Sequence, residues 1–178
     1  MPPTARLRQR LRLLTANDFD DNRQASTGRV ELQSICDALQ QDGTVVECAD
    51  DLFDLMERLD HVDLGSPGPL VHALEATSPA YELLLKASLR RKPGPLSVWM
   101  VNRILNADRP ERAEWLQELT MAADHPRASQ QTRRDALEYL RHQAQSGRGD
   151  GVISKYPDLL TEPPDPLGSA ESGEAQCD

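Results

Sequence analysis

The spacing of helix start signals constrains this fold more than any other sequence feature. Three segments with helical spacing of apolar residues begin near Cys48, Pro79 and Pro110, a step of 31 residues each time. The segments that follow them begin near Pro67, Pro95 and Ser129. Each helical hairpin of such a series buries one face on its neighbour, so a nearly constant period predicts a stacked α-solenoid. A non-repetitive helical bundle is the alternative.

Composition supports an all-α fold. Only 4% of the residues are aromatic, and the Leu and Ala that must fill the core are strong helix formers. Helices are predicted over 48–60, 67–76, 79–91, 95–106, 110–123 and 129–144. Upstream, residues 4–14 form a first helix or a basic arm, residues 15–28 form a loop, and a helix over 30–41 turns Val30, Ile35, Ala38 and Leu39 inward.

Domain boundaries follow from a change in composition after residue 147. Residues 1–147 are predicted to form a single helical domain, with three HEAT-like hairpins over 48–144. Residues 148–178 are rich in Gly, Pro and acidic side chains, with seven acids and one Lys from Asp150 onward. Such a segment buries too little apolar surface to order itself throughout, so an extended, partly disordered acidic tail is expected.

The charge balance restricts the class of partner. Acids number 29 against 20 bases, a net charge of −9, and a nonspecific nucleic-acid binder would instead carry a basic surface. The acid excess fits a protein partner with a basic surface, although solubility alone is an alternative explanation. Neither a signal peptide nor a membrane span is apparent, which predicts a cytoplasmic protein without membrane contact.

No motif indicates catalysis, a metal or a cofactor. Cys36, Cys48 and Cys177 match no metal or redox spacing, and the first two are predicted to be buried thiols. The four histidines form no metal-binding pattern on one helix, and no phosphate-binding loop or nucleophile elbow occurs. The sequence therefore predicts a binding protein, not an enzyme, with no catalytic residues and no cofactor.

One helix presents an acidic face. Within residues 47–60, an apolar stripe of Leu52, Phe53, Leu55, Met56 and Leu59 is predicted to point inward. The acids on the other side are Glu47, Asp50, Asp51, Asp54 and Glu57. These five residues are a candidate partner-binding site for basic side chains, and a merely solvated face is the alternative.

A second candidate site lies on the helix over 95–106. Apolar residues cover most of this helix, which predicts a central position. The remaining stripe holds Trp99, Asn102, Arg103 and Asn106. Trp and Arg are frequent interface hot spots, so these four are candidate partner-binding residues. In the alternative, Trp99 belongs to the core and Asn102 caps a neighbouring helix.

The stretch GPLVHALEATSPAYELLLKASLRRKPGPLSVWMVNRILN, over residues 68–106, resembles the helical-repeat immunity proteins of bacterial polymorphic toxin systems, whose folds are often HEAT-like. The resemblance extends over residues 48–144 at most. It implies a bacterial, cytoplasmic immunity protein that neutralises a cognate toxin by stoichiometric protein–protein inhibition. With the acid excess, it suggests a basic toxin domain as partner. A helical-repeat scaffold or adaptor for cytosolic complexes is the alternative function.

Overall fold

The structure, a computed structural model, describes residues 3–20, 27–65, 67–107, 109–146 and 155–156. Within these ranges it contains α-helices, one short 3-10 helix over Ala16–Phe19, and no strand. The helices are α1 (Pro3–Leu13), α2 (Thr27–Gln41), α3 (Val45–Arg58), α4 (Pro69–Glu75), α5 (Ala80–Arg91), α6 (Pro95–Asn106), α7 (Arg112–Asp124) and α8 (Gln130–Gln145). The all-α class predicted from composition is confirmed.

Each helix predicted from the sequence is present, but the period is less regular than expected. Helices α3, α5 and α7 begin at Val45, Ala80 and Arg112, which are 35 and 32 residues apart. The constant step of 31 residues is therefore wrong. The first step is longer because residues 59–68 connect α3 to α4, whereas only residues 92–94 connect α5 to α6.

Helix α2 differs from its prediction at its start. It begins at Thr27, within the segment expected to be a loop, and Val30 is 67% exposed instead of inward-facing. The buried stripe is Leu32, Ile35, Cys36 and Leu39. Val30 lies two residues before Leu32, which in a helix places it on the opposite side. Gly43 follows the helix with φ of +66°, a conformation that favours glycine and lets the chain turn into α3.

Two series of helix contacts organise the packing. Helix α3 contacts α1 and α5, and α5 contacts α7, while α2 contacts α4 and α6 contacts α8. Consecutive helices of each pair, such as α5 with α6 and α7 with α8, also pack together. Helices α4 and α6 are not among the closely packed pairs. Helix α4 has only seven residues, and a gap between it and α6 is open to solvent.

The core is one apolar cluster that runs from Leu7 to Leu140. It includes the predicted inward stripe of α3 and the buried thiols of Cys36 and Cys48. Burial raises the pKa of Cys36 to about 12, so this thiol stays protonated and unreactive at neutral pH. Among the described helices, none is long and apolar enough to cross a membrane.

The C-terminal segment enters the described structure at only two residues. Lys155 Nζ lies 2.6 Å from Asp124 Oδ2, and the Tyr156 hydroxyl donates a 2.9 Å hydrogen bond to Asp124 Oδ1. These contacts lower the pKa of Asp124, chiefly through the Lys155 hydrogen bond. The rest of the predicted acidic tail, with Cys177, lies outside the described residues.

Candidate binding surfaces

The acidic face of α3 is divided between neighbouring helices. Asp51 faces α1, where Arg8 Nε lies 3.2 Å and Arg12 Nη2 lies 3.1 Å from its carboxylate oxygens. Asp54 pairs with Arg58 at 2.9 Å, and Arg58 also donates hydrogen bonds to the carbonyl oxygens of the last turn of α1. The basic helix α1 therefore covers one side of the predicted acidic site.

Glu57 faces the other neighbour, α5. Its Oε1 accepts a 2.7 Å hydrogen bond from the Ser88 hydroxyl and a 2.9 Å hydrogen bond from Arg91 Nη2. Lys92 donates to the Glu57 carbonyl oxygen and pairs with Asp60 at 3.1 Å. Glu57 thus joins α3 to α5, and we name this contact the α3–α5 seam, defined by Glu57, Ser88, Arg91 and Lys92.

A similar contact joins α5 to α7. Lys86 Nζ lies 2.9 Å from Glu114 Oε2 and 4.6 Å above the ring of the buried Trp115. Arg90 pairs with the buried Glu118. The hydrogen bond from Lys86 lowers the pKa of Glu114. Basic residues of α5 thus pair with acids of both neighbours, α3 and α7, so these cations are already paired within the protein.

Sequence reasoning missed these pairs, although a signal was present. Lys86 and Glu114, Arg90 and Glu118, and Glu75 and Arg103 are each 28 residues apart. The same separation of 28 residues between opposite charges in three pairs would have indicated contacts between α4 and α6 and between α5 and α7.

Exposed acids remain at the turn between α2 and α3. Asp37, Asp42 and Glu47 have no cation within ion-pair distance among the described residues, and Asp50 lies 3.9 Å from Arg91. Val46 stands among them with 46% of its surface exposed. We name this surface the acidic corner, defined by Asp37, Asp42, Val46, Glu47 and Asp50. It keeps two of the five predicted acids, Glu47 and Asp50.

The predicted stripe on α6 is divided as well. Gln143 Nε2 of α8 donates hydrogen bonds of 2.9 Å to Asn102 Oδ1 and 2.8 Å to Asn106 Oδ1. Arg112 donates to Gln143 Oε1 and to the Leu105 carbonyl oxygen. Since Gln143 is fully buried, Asn102 and Asn106 hold α6 against α8 through this network.

Trp99 and Arg103 lie toward α4 instead. The Arg103 guanidinium stacks over the half-buried Trp99 ring, 4.9 Å from its centroid. The same guanidinium donates from Nε and Nη2 to the two carboxylate oxygens of Glu75, at 2.7 and 3.0 Å. This bidentate pair joins α4 to α6 across the gap between them.

An open cleft of about 560 Å³ lies at this gap. It is lined by Glu75, Ser78, Tyr81, Arg103, Ile104, Asn106, Ala107 and Arg109. On its second wall, Arg109 binds both carboxylate oxygens of Glu82. We name it the α4–α6 cleft. It brings together two residues predicted from the sequence, Arg103 and Asn106, and several that were not, among them Tyr81.

A second cavity, of about 610 Å³, lies at the turns that precede α4, α6 and α8. Its lining is mostly apolar, and it includes Asp60 and His61, whose Nδ1 lies 3.6 Å from Asp60 Oδ1. Asp60 also binds Lys92, so this pair belongs to the contact between α3 and α5. Within the described parts of the chain, no group of three or more His, Cys, Asp or Glu side chains is arranged to hold a metal ion.

Comparison with known proteins gives no family for this chain: no family model, no curated protein and no solved structure matches it.

Proposed function

We propose that this protein is a protein-binding module built from stacked, HEAT-like helical hairpins, and that it acts as a stoichiometric inhibitor of a cognate partner. The partner we propose is a toxin domain with a basic surface, which would make this chain an immunity protein. Support comes from the two series of helix contacts, in which α3 follows α1 and α5 follows α3, and from the resemblance of residues 68–106 to helical-repeat immunity proteins.

The observation that carries the proposal is the exposure of the acidic corner, in which Asp50 alone forms an ion pair with a described residue, Arg91, at 3.9 Å. Arginines and lysines of α1 and α5 are bound to acids of neighbouring helices, whereas the acidic corner keeps its carboxylates exposed to solvent. An exposed cluster of one sign attracts a partner of the opposite sign and accelerates association. Val46, an exposed apolar side chain among these acids, supplies surface that a partner can bury.

The test begins with the partner. The tagged full-length chain would be used to capture bound proteins from its native cells, and they would be identified by mass spectrometry together with the product of the adjacent upstream gene. A single basic partner in a one-to-one complex, whose toxic activity is lost on binding, is the expected result. Several unrelated partners, or a partner that keeps its activity in the complex, would contradict the inhibitor proposal.

Charge reversal then tests the acidic corner. Glu47→Lys should slow association several-fold at low salt, and the combined reversal of Asp37, Asp42, Glu47 and Asp50 should slow it more than about tenfold and flatten its salt dependence. Glu138→Lys, an equal change in charge on an exposed position of α8, is the matched control. Equal effects of Glu47→Lys and Glu138→Lys would show that net charge alone matters and would remove the corner from the binding site.

One observation favours the second candidate, a scaffold or adaptor. The acidic corner and the α4–α6 cleft are built from different helices, and an adaptor needs separate contact surfaces for two partners. Simultaneous binding of two proteins in one complex of 1:1:1 stoichiometry, measured by light scattering, would favour the adaptor over the inhibitor.

A further inference from the structure

Tyr81 contributes a hydrogen-bonding group to the α4–α6 cleft. Its side chain is mostly buried, at 3% exposure, and lines the cleft. Its hydroxyl forms no hydrogen bond with any described residue, so within the open cleft it can bind a ligand. Burial is the main cause that raises the pKa of Tyr81 to about 12, followed by the charges of Glu75 and Glu82. The phenol is therefore neutral at physiological pH and carries a proton that it can donate.

The carboxylates in the cleft already accept hydrogen bonds. Glu75 accepts two hydrogen bonds from Arg103. Glu82 accepts two hydrogen bonds from Arg109 and a third from the Ser78 hydroxyl. Each of these carboxylates is paired with a guanidinium, which reduces its attraction for a cationic ligand.

Donors, by contrast, remain available. A guanidinium has five N–H groups, and Arg103 and Arg109 each use two of theirs on a carboxylate. Arg109 Nε also lies 3.7 Å from Glu111 Oε2. The carbonyl end of the Asn106 amide is bound by Gln143, which leaves its amino end for another partner. The cleft therefore has more free donors than free acceptors.

We propose that the α4–α6 cleft is a binding site for a carboxylate group, which Arg103 and Arg109 hold and to which Tyr81 and Asn106 donate. A carboxylate has two coplanar oxygens that match the guanidinium fork. A phosphate dianion fits less well because Glu75 and Glu82 stand beside the guanidinium groups and repel a second negative charge. This site is separate from the acidic corner and does not depend on the proposed inhibitor function.

The experiment is an NMR titration of the full-length protein with four probes. Two carry a carboxylate: succinate and an N-acetylated dipeptide with a free C-terminus. Their matched controls are succinamide and the same dipeptide amidated at its C-terminus. We expect both carboxylates, but neither amide, to shift the resonances of Tyr81, Ile104 and Asn106 at concentrations about tenfold above a millimolar Kd. A dipeptide that binds tenfold more tightly than succinate indicates a peptide ligand, and equal affinities indicate a small carboxylic acid.

Substitutions make the test specific. Tyr81→Phe removes one donor and should weaken carboxylate binding by roughly fivefold, and Arg109→Gln should weaken it by more than about tenfold. Arg134→Gln, at an exposed position of α8 outside the cleft, should leave the affinity unchanged. The proposal is overturned by equal shifts with carboxylates and amides, by an unchanged affinity of Tyr81→Phe, or by inorganic phosphate binding more tightly than either carboxylate.

Discussion

The α3–α5 seam and the α4–α6 cleft use the same types of residue with opposite results. In the seam, Glu57 accepts hydrogen bonds from the Ser88 hydroxyl and from Arg91, and the two helices pack closely together. In the cleft, Glu75 is held by Arg103, but the Tyr81 hydroxyl nearby has no partner and the space remains open. In the seam, the donors of α5 are bound to Glu57. In the cleft, donors remain that no acceptor of the described protein binds.

The two regions also differ in how closely their helices pack. Helices α3 and α5 have 14 and 12 residues and form one of the closely packed pairs. Helix α4 has seven residues and is not closely packed against α6, to which the Glu75–Arg103 pair joins it. Charged residues thus hold the helices together along the seam, whereas the pair at the cleft borders an open space.

The two tryptophans give the largest expected difference between the regions. Trp115, 1% exposed, lies under Lys86 between α5 and α7, whereas the half-buried Trp99 lies under Arg103 beside the cleft. Trp115→Ala should lower the free energy of unfolding by about 3–5 kcal/mol. Trp99→Ala should lower it by about 1–2 kcal/mol, because less of its surface is removed from water. Urea denaturation followed by circular dichroism measures both.

Similar losses for the two tryptophan variants would contradict the distinction between a closed and an open region. Leu83→Ala, at an exposed position of α5, serves as the control and should change stability by less than about 0.5 kcal/mol.

Removal of one hydroxyl group from each region gives a smaller and sharper difference. Ser88→Ala deletes a buried donor to the Glu57 carboxylate and should cost about 1–2 kcal/mol, since hydrogen bonds to charged groups contribute more than neutral ones. Tyr81→Phe deletes a hydroxyl without a partner and should change stability by less than about 0.5 kcal/mol. The same urea titrations apply.

A large loss for Tyr81→Phe would mean that its hydroxyl is bound within the folded chain, and the donor-rich cleft would then lose its main support. A negligible loss for Ser88→Ala would mean that Arg91 alone satisfies Glu57.

The helices were predictable because their signals are local. Leu52, Phe53, Leu55, Met56 and Leu59 recur at helical spacing, and all five are buried. Ser129 caps α8 by accepting a hydrogen bond from the Thr132 N–H, a signal that a sequence displays directly. Val30 was misplaced because the predicted helix began there, three residues too late. Helix α2 begins at Thr27, and its buried stripe includes Gly28 and Leu32 but not Val30.

The sites were only partly predictable because they depend on which helix lies next to which. The five acids of α3 form one face in the sequence, but Asp51 is bound by α1 and Glu57 by α5, and neither contact can be read from α3 alone. Arg103 and Asn106 were singled out as candidate interface residues. Their position at a cleft depends on how α4 lies relative to α6, and Tyr81 reaches the same cleft from the first turn of α5.

The smallest expected effect comes from a partly exposed ion pair between α1 and α2. Arg10 Nε lies 2.6 Å from Glu31 Oε1, and this hydrogen bond lowers the pKa of Glu31. A lowered folded-state pKa stabilises the protein above the unfolded pKa, and this contribution is lost as the pH falls through the folded value. Glu31→Gln should therefore reduce the loss of stability between about pH 5 and pH 3. The pair is partly exposed and screened by solvent, so the difference should be a few tenths of a kcal/mol.

Glu138→Gln is the control for this measurement, since Glu138 has no cation within ion-pair distance among the described residues. Urea midpoints of the wild type and both variants across this pH range measure the effect. A change in the pH dependence of stability of about 1 kcal/mol or more, as expected of a buried contact, would contradict the prediction. It would mean that burial does not determine how much a charged pair contributes to the free energy of unfolding. A difference of the expected size would show that the Arg10–Glu31 pair contributes less to the free energy of unfolding than the more buried contacts of the α3–α5 seam.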